Sequence, residues 1–366
     1  MKSFLIEQLS RILHPLLYTE PTAPPLASER PNILVIKPAS LGDVLMSTAF
    51  LAALRANLPH AHVTVLVTTW AKEALVGNPH CDEVIDSGTV GFPGLYGFNA
   101  YRNCVSRVRE RSFTHCFVLD RSSLMSLLPR LAGIPWRAGL DSSGRGIALH
   151  VGVPCRDDRH EAELYLDVLR KVGFEVTKPH LHFRPQSSDA SEVSNLLTEQ
   201  GLAERRPLIA IHPGGGRNPG DELLSKRWSS SNFQALTERL GSTLEAGILL
   251  VGGPDDVPIA EAIQNGATAS MVDVTGKLTF AQLGALIQRC HLFIGNDSAP
   301  MHLAAAVGTP VIALFGPTSP QRFGPFGAQS AVVRFAVDQD KEGSVDELEA
   351  VLSAARKLLD SSPDCD

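Results

Sequence analysis

From residue 32 onward the chain alternates short aliphatic and β-branched runs with longer stretches whose apolar positions recur every three or four residues. Residues 33–36 predict a first strand and 43–57 a helix. Residues 63–67 are again strand-like, Val84 and Ile85 mark a third strand, and 115–119 a fourth that leads into the apolar segment 124–131. Residues 161–172 have helical spacing, and 183–190 read as a linker. A second series follows. Strand patterns at 208–211, 248–251, 291–294 and 311–314 alternate with helical patterns at 228–240, 258–264, 280–289 and 299–307. Residues 345–359 read as one more helix and 360–366 as a loose polar tail. Strands that are apolar at nearly every position predict parallel sheets covered on both faces. The expected class is α/β, with two Rossmann-like doubly wound domains facing a cleft, over 32–184 and 190–343.

Ahead of this series, Phe4, Leu5, Leu9, Ile12, Leu13, Leu16 and Leu17 fall largely at helical steps. Residues 19–31 hold four prolines and read as a linker. The extension 1–31 is therefore either a helix packed on the protein's own surface or an interfacial membrane contact. Its polar face has few Lys or Arg, which weakens the second reading.

Composition narrows the function classes. The length of 366 residues favours two domains at roughly 150 residues each. Lys and Arg number 33 against 39 Asp and Glu, a net charge of −6, which argues against a dedicated nucleic-acid binder. No apolar run approaches the roughly 18 residues that span a bilayer. The six cysteines form no close pair and have no His at zinc-ligand spacing, so they read as reduced, mostly buried thiols of a cytosolic protein.

The informative residues follow the strands, where open α/β sheets bind ligands. After the first strand comes Lys37-Pro38-Ala39-Ser40-Leu41-Gly42-Asp43-Val44. It is neither a dinucleotide fingerprint nor a phosphate-loop motif, and without that fingerprint a nicotinamide dehydrogenase is disfavoured. Ser40 or Asp43 is suited to cap the helix. A cleft-facing Asp43 is equally suited to act as a general base. The second segment, His212-Pro213-Gly214-Gly215-Gly216, precedes Lys226-Arg227-Trp228. Glycines let backbone approach a ligand closely, and two cations at a helix start suit a diphosphate. His212 alone reads as a structural hydrogen bonder. The third, Gly252-Gly253-Pro254-Asp255-Asp256, reads as a βα turn or as part of the same site. In the fourth, Asn296-Asp297-Ser298-Ala299-Pro300-Met301-His302, Pro300 suits a first helical turn, and the amides of Ser298 and Ala299 would offer a phosphate site. Phe315-Gly316-Pro317-Thr318 leaves the next strand for the same cleft.

These segments, in this order, resemble glycosyltransferase family 9, whose best-known members are ADP-heptose:lipopolysaccharide heptosyltransferases. The match runs from about residue 33 to about 326, and the block 296–302 is its most specific part. The resemblance implies a GT-B fold with the donor in the C-terminal domain. It implies inverting transfer of heptose from ADP-heptose to a lipid A–core oligosaccharide, without metal or other cofactor. It assigns Asp43 as base, Lys226 to the donor phosphates, Asp297 to the heptose hydroxyls, and Ser298 and Ala299 to phosphate binding. Gly214, Gly215, Gly253 and Thr318 complete the expected donor site. Ala299 stands where many members carry glycine, and the loop 216–224 is long and polar.

In the N-terminal domain Arg102, Arg107, Arg121, Arg130, Arg137 and Arg145 either line an acceptor site or are solvated surface. Among them Arg102, Arg121 and Arg145 are the acceptor candidates. The expected location is the cytoplasm, with transient contact at the inner face of the inner membrane. The rival readings are a family 9 transferase with another sugar nucleotide or a non-lipid acceptor, and a nucleotide-sugar-binding protein without catalysis.

Overall fold

The structure, a computed structural model, describes residues 30–361 apart from 93, 220, 268–269 and 337–344. The expected helix over 4–17 lies outside the described residues. Contacts divide the chain into two units, with the boundary between Pro179 and His180.

In the first unit six parallel strands pair in the order β3-β2-β1-β4-β5-β6. They are β1 (Asn32–Ile36), β2 (His62–Val67), β3 (Glu83–Asp86), β4 (His115–Val118), β5 (Trp136–Asp141) and β6 (Val151–Pro154). Ile33 to Ile36 are wholly buried, because helices cover both faces of the sheet. The helices are α1 (Leu41–Asn57), α2 (Phe98–Arg109), α3 (Ser123–Leu131) and α4 (Glu161–Lys171). Helix α1 opens at Ser40, with Asp43 in its first turn and Arg55 in its last, as the helix dipole favours. It packs on α4. Between strands and helices, Phe50 meets Phe117 edge-on at 5.3 Å, and Phe117 meets Trp136 at 5.5 Å. Each such wholly buried side chain contributes about 1.5–3 kcal/mol of transfer free energy.

The second unit repeats the plan. Strands β7 (Leu208–His212), β10 (Gly247–Leu250), β11 (Met271–Asp273), β12 (Leu292–Asn296), β13 (Val311–Phe315) and β14 (Ser330–Arg334) form a parallel sheet in the order β11-β10-β7-β12-β13-β14. Its helices are α5 (Ser187–Glu199), α6 (Ser230–Leu244), α7 (Val257–Gly266), α8 (Phe280–Arg289), α9 (Ala299–Ala306), α10 (Pro320–Phe323) and α11 (Val345–Asp360). Val351, Leu352, Ala355, Leu358 and Leu359 of α11 join the unit's core, so the C-terminal helix is part of this sheet's cover. Two doubly wound units of matching strand order are the make-up expected of a GT-B protein.

Several elements differ from the sequence expectation. The stretch 183–190, expected as a linker, contains the start of α5. Its entry is fixed where Asp189 Oδ2 accepts the Gln186 N–H at 2.9 Å. Phe183 is buried edge-on against Phe280 at 5.7 Å. Strand β5 was not foreseen because Arg137 is its second residue. That guanidinium is buried by donating to the carbonyls of Ala148 and Ile134, both at 2.6 Å, and meets His150 at 2.9 Å. The loop 216–224 carries a small antiparallel pair, β8 (Arg217–Asn218) with β9 (Asp221–Glu222). The cysteines Cys81, Cys104, Cys116, Cys155 and Cys290 are free, and burial pushes the Cys290 thiol up to about 12.

Gly139 of β5 pairs with Val118 of β4. A Cβ there would lie 2.3 Å from the Val118 carbonyl oxygen. Main chain in a central strand pair cannot yield cheaply. Gly139→Ala is expected to lower stability by about 1–3 kcal/mol in urea unfolding. A change within about 0.5 kcal/mol, the range of an ordinary surface substitution, would contradict this packing.

Candidate active site

In a doubly wound sheet, ligands gather beyond the carboxyl ends of the strands, at the point where the winding reverses. That point lies between β1 and β4 in the first unit and between β7 and β12 in the second.

In the second unit one buried amide holds three segments together. Asn296, the last residue of β12, donates from Nδ2 to the carbonyls of Pro213 at 2.9 Å and Gly214 at 3.0 Å. Its Oδ1 accepts the N–H of Trp228 at 3.0 Å. The glycine loop after β7 and the entry to α6 are thereby fixed against the end of β12. Gly214 is required here, because a Cβ would fall 1.9 Å from Asp256 Oδ1. Gly215 has φ +103, and its Cβ would press on Ser298.

Beside this clamp lies a charged group. Lys226 Nζ is 2.9 Å from Asp297 Oδ2, and Thr318 Oγ1 donates to the same oxygen at 2.7 Å. Arg334 Nη2 donates to the Gly316 carbonyl at 2.9 Å, which steadies the loop that carries Thr318. Ser298 and Ala299 follow Asp297 directly and begin α9, with Pro300 in its first turn. The first amides of a helix have no partner inside it and carry partial positive charge. With the Lys226 ammonium they have the charge to receive an anion, while Asp297 and Thr318 carry oxygens able to pair with hydroxyls.

Behind it runs a buried chain. Ser298 Oγ lies 3.1 Å from His212 Nδ1, and His212 Nε2 lies 3.2 Å from Asp256 Oδ2. The amide of Gly253 donates to Asp256 at 3.0 Å and that of Gly215 at 3.4 Å. Burial raises the Asp256 pKa, but the bond and charge of His212 and these two amides outweigh it and bring it to about 2.

In the first unit Asp43 sits just beyond β1. Its Oδ2 accepts the Ser40 N–H at 3.0 Å, so the capping role is real. Yet 32% of the side chain stays exposed, which leaves the carboxylate accessible. Lys37 is buried, with Nζ 3.6 Å from Asp43 Oδ2, 2.8 Å from the Ala39 carbonyl and 5.6 Å from the centre of the Tyr165 ring. Beyond β4, Asp120 accepts the Ser122 N–H at 2.8 Å, and Arg121 pairs with Glu161 at 2.5 Å. Burial raises the pKa of Asp120, against the pull of Lys37; the Asp43 charge adds to the rise.

Residues 102–350 match the sequence model of glycosyltransferase family 9 (heptosyltransferase). The chain belongs to glycosyltransferase family 9. It is 28% identical over 331 residues to lipooligosaccharide heptosyltransferase 2 of Haemophilus influenzae, covering 85% of this chain and 93% of that protein. It is also 28% identical over 345 residues to lipopolysaccharide heptosyltransferase 2 of Escherichia coli, covering 91% and 95%. Among solved structures, a family 9 glycosyltransferase from Veillonella parvula superposes with a TM-score of 0.80 at 25% identity, covering 93% of this chain and 99% of that one. The E. coli ADP-heptose lipopolysaccharide heptosyltransferase II superposes with a TM-score of 0.71 at 25% identity, covering 90% and 98%.

This family 9 glycosyltransferase brings together Lys226, Asp297, Ser298, Ala299 and Thr318, with Gly214, Gly215 and Gly253 around them through Asn296 and Asp256. Arg121 stands beside Asp43's neighbours. Arg102 is exposed on α2, and Arg145 leans on Ser142 at 3.4 Å. No hydrogen bond or ion pair among the described residues ties Arg102 or Arg145 to the Asp43 group. Asp256, Asn296, Lys37, Asp120 and Glu161 were not singled out from sequence as site residues. A charged residue directly after an all-apolar strand, as at Lys37, was the available signal. Asp256 read as an ordinary turn carboxylate, since its partners come from distant segments. Among the described residues no helix is long and apolar enough to cross a membrane.

The depressed pKa of Asp256 gives a pH test. Its contribution is complete above the unfolded value of 3.8 and is lost as pH falls through about 2. Unfolding free energy is expected to drop from about pH 4 downward in the wild type, and less steeply in Asp256→Asn. Equal slopes in the two proteins would show that the carboxylate is not held this way.

Proposed function

We propose that this glycosyltransferase moves heptose from ADP-heptose to the lipid A–core oligosaccharide of lipopolysaccharide, with inversion and without a metal. The observation that carries the reading is the Lys226–Asp297–Thr318 group beside the start of α9, at the winding reversal of the second sheet. The heptosyltransferase names of the relatives support the sugar and the acceptor. In this reading the second unit is the donor domain and the first is the acceptor domain.

Inversion takes one displacement at the anomeric carbon. The acceptor hydroxyl loses its proton to Asp43 as it attacks, and the ADP oxygen takes the bond electrons. Lys226 and the amides of Ser298 and Ala299 stabilise the charge that grows on the leaving diphosphate. Asp297 and Thr318 hold sugar hydroxyls. In this reading Arg121, beside its partner Glu161, meets acceptor phosphate, with Arg102 and Arg145 as outer contacts. A lipid-linked acceptor places the enzyme in the cytoplasm, visiting the inner face of the inner membrane.

The test is transfer by the purified protein, read by acceptor mass. Asp43→Asn is expected to lower turnover by roughly 10²–10⁴-fold, the usual worth of a general base, while ADP binding stays intact. Retention of most turnover would remove Asp43 from this role. Lys226→Ala is expected to cost about 3 kcal/mol of transition-state stabilisation, by analogy with an oxyanion donor. Activity is expected to survive EDTA, and loss restored by magnesium would overturn the metal-free route.

A further inference from the structure

We propose that one rim of the first unit is a docking surface for an anionic lipid bilayer, entered by Trp70 and Phe98 and held by the arginines of α2. The inference rests on the reading of a lipid-linked acceptor given above and adds to it the part of the chain that meets the lipid.

The rim is built from the loops that leave β2 and β3 and from the starts of α2 and α3. Trp70, Leu95, Phe98 and Leu124 keep 48%, 43%, 77% and 45% of their surface exposed. A single exposed apolar residue needs no explanation, whereas a joined set marks a contact surface. Hydrogen bonds and a ring contact join the segments that carry these four. Thr69, next to Trp70, donates from its N–H to the Gly88 carbonyl at 3.1 Å and from Oγ1 to Asp86 Oδ1 at 2.7 Å. Thr89 Oγ1 donates to the Leu95 carbonyl at 2.9 Å. Tyr96 stacks on Tyr101 with ring centres 6.4 Å apart, and the Tyr101 hydroxyl donates to the Leu124 carbonyl at 2.6 Å.

Charge identifies the partner. Helix α2 carries Arg102, Arg107 and Arg109 and no acidic residue. Arg102 lies four residues after Phe98, on the same side of the helix, and both are exposed. Arg107 Nη1 donates to the Asp86 carbonyl at 2.7 Å, which ties α2 to the end of β3. Aromatic rings beside guanidinium groups suit a surface of acyl chains under anionic headgroups. The net charge of −6 is unevenly placed. Residues 1–179 hold 19 Lys and Arg against 17 Asp and Glu, and residues 180–366 hold 14 against 22. The first unit therefore lacks the acidic excess that an anionic bilayer would repel. A second copy seated symmetrically on this rim would set the α2 arginines against their own kind.

The experiment uses a reporter that the chain already holds. Of its three tryptophans, Trp136 and Trp228 are 3% and 4% exposed, so Trp70 is the one placed to sense added lipid. With vesicles of phosphatidylglycerol and phosphatidylethanolamine, emission of the full chain is expected to move to shorter wavelength. The shift is expected to vanish with phosphatidylcholine vesicles and to shrink in high salt. In co-sedimentation with the anionic vesicles, Trp70→Ser combined with Phe98→Ser is expected to lower partitioning at least about fivefold. Val332→Ser, at an exposed apolar residue of the second unit, is expected to leave it unchanged. Transfer to a delipidated, soluble acceptor is expected to stay at the wild-type level in the double variant. Unshifted emission, undiminished sedimentation of the double variant, or a dimer that the double substitution dissociates overturns the inference. Loss of transfer to the delipidated acceptor in that variant gives the rim to the acceptor itself and also overturns it. A wild type that binds the anionic vesicles as described but transfers no heptose overturns the functional reading and leaves the lipid surface standing.

Discussion

Each sheet has one strand paired on both sides with strands whose crossovers run in opposite directions, β1 in the first unit and β7 in the second. This single constraint decides where chemistry can sit. Crossovers that diverge leave a gap above the carboxyl ends of the two adjoining strands, lined by backbone that no helix covers. Lys37 and Asp43 follow β1, and Asp120 and Arg121 follow β4. His212 ends β7 and the glycine loop follows it, and Asn296 ends β12 with Asp297 and Ser298 directly after. Every residue assigned a chemical role on the second sheet ends a strand, lies in a loop that leaves a strand's carboxyl end, or lies in the segment leading into α6.

Loops that lack regular structure need other means of fixing. In the second unit these are buried polar side chains. Asn296 satisfies two carbonyls and one amide that no sheet or helix serves, and leaving such groups unpaired costs about 1–3 kcal/mol each. Asp256 does the same for the amides of Gly253 and Gly215 and for His212. The glycines are required by close approach as much as by turn geometry, since a Cβ at Gly214 or Gly252 would collide with the Asp256 carboxylate. The site is thus held from behind by neutral and acidic partners, and its open side keeps a lysine and the positive end of α9. That asymmetry suits an anionic ligand that arrives and leaves in each turnover.

Much of the fold was legible because β1, β7, β12 and β13 are apolar at almost every position, a pattern that parallel sheets impose. Asp43, Lys226, Asp297 and Ser298 were legible for a related reason, as polar residues placed directly after such strands or at a helix entry. What escaped was set by partners far apart in sequence. Arg137 inside β5 hides that strand until its carbonyl partners are seen. The polar stretch before α5 looked like linker because its capping pair, Gln186 and Asp189, is also turn chemistry. Asp256 gains its role from His212, 44 positions earlier, which periodicity cannot reveal.

The central claim is that the start of α9, with Lys226, receives the diphosphate of a sugar nucleotide. A crystal structure with a fluorinated, non-transferable ADP-heptose tests it most directly. The account requires diphosphate oxygens within hydrogen-bond distance, about 3 Å, of Lys226 Nζ and the amides of Ser298 or Ala299, with sugar hydroxyls on Asp297. A diphosphate seated elsewhere, for example beyond β1 against Lys37 and Arg121, would contradict it.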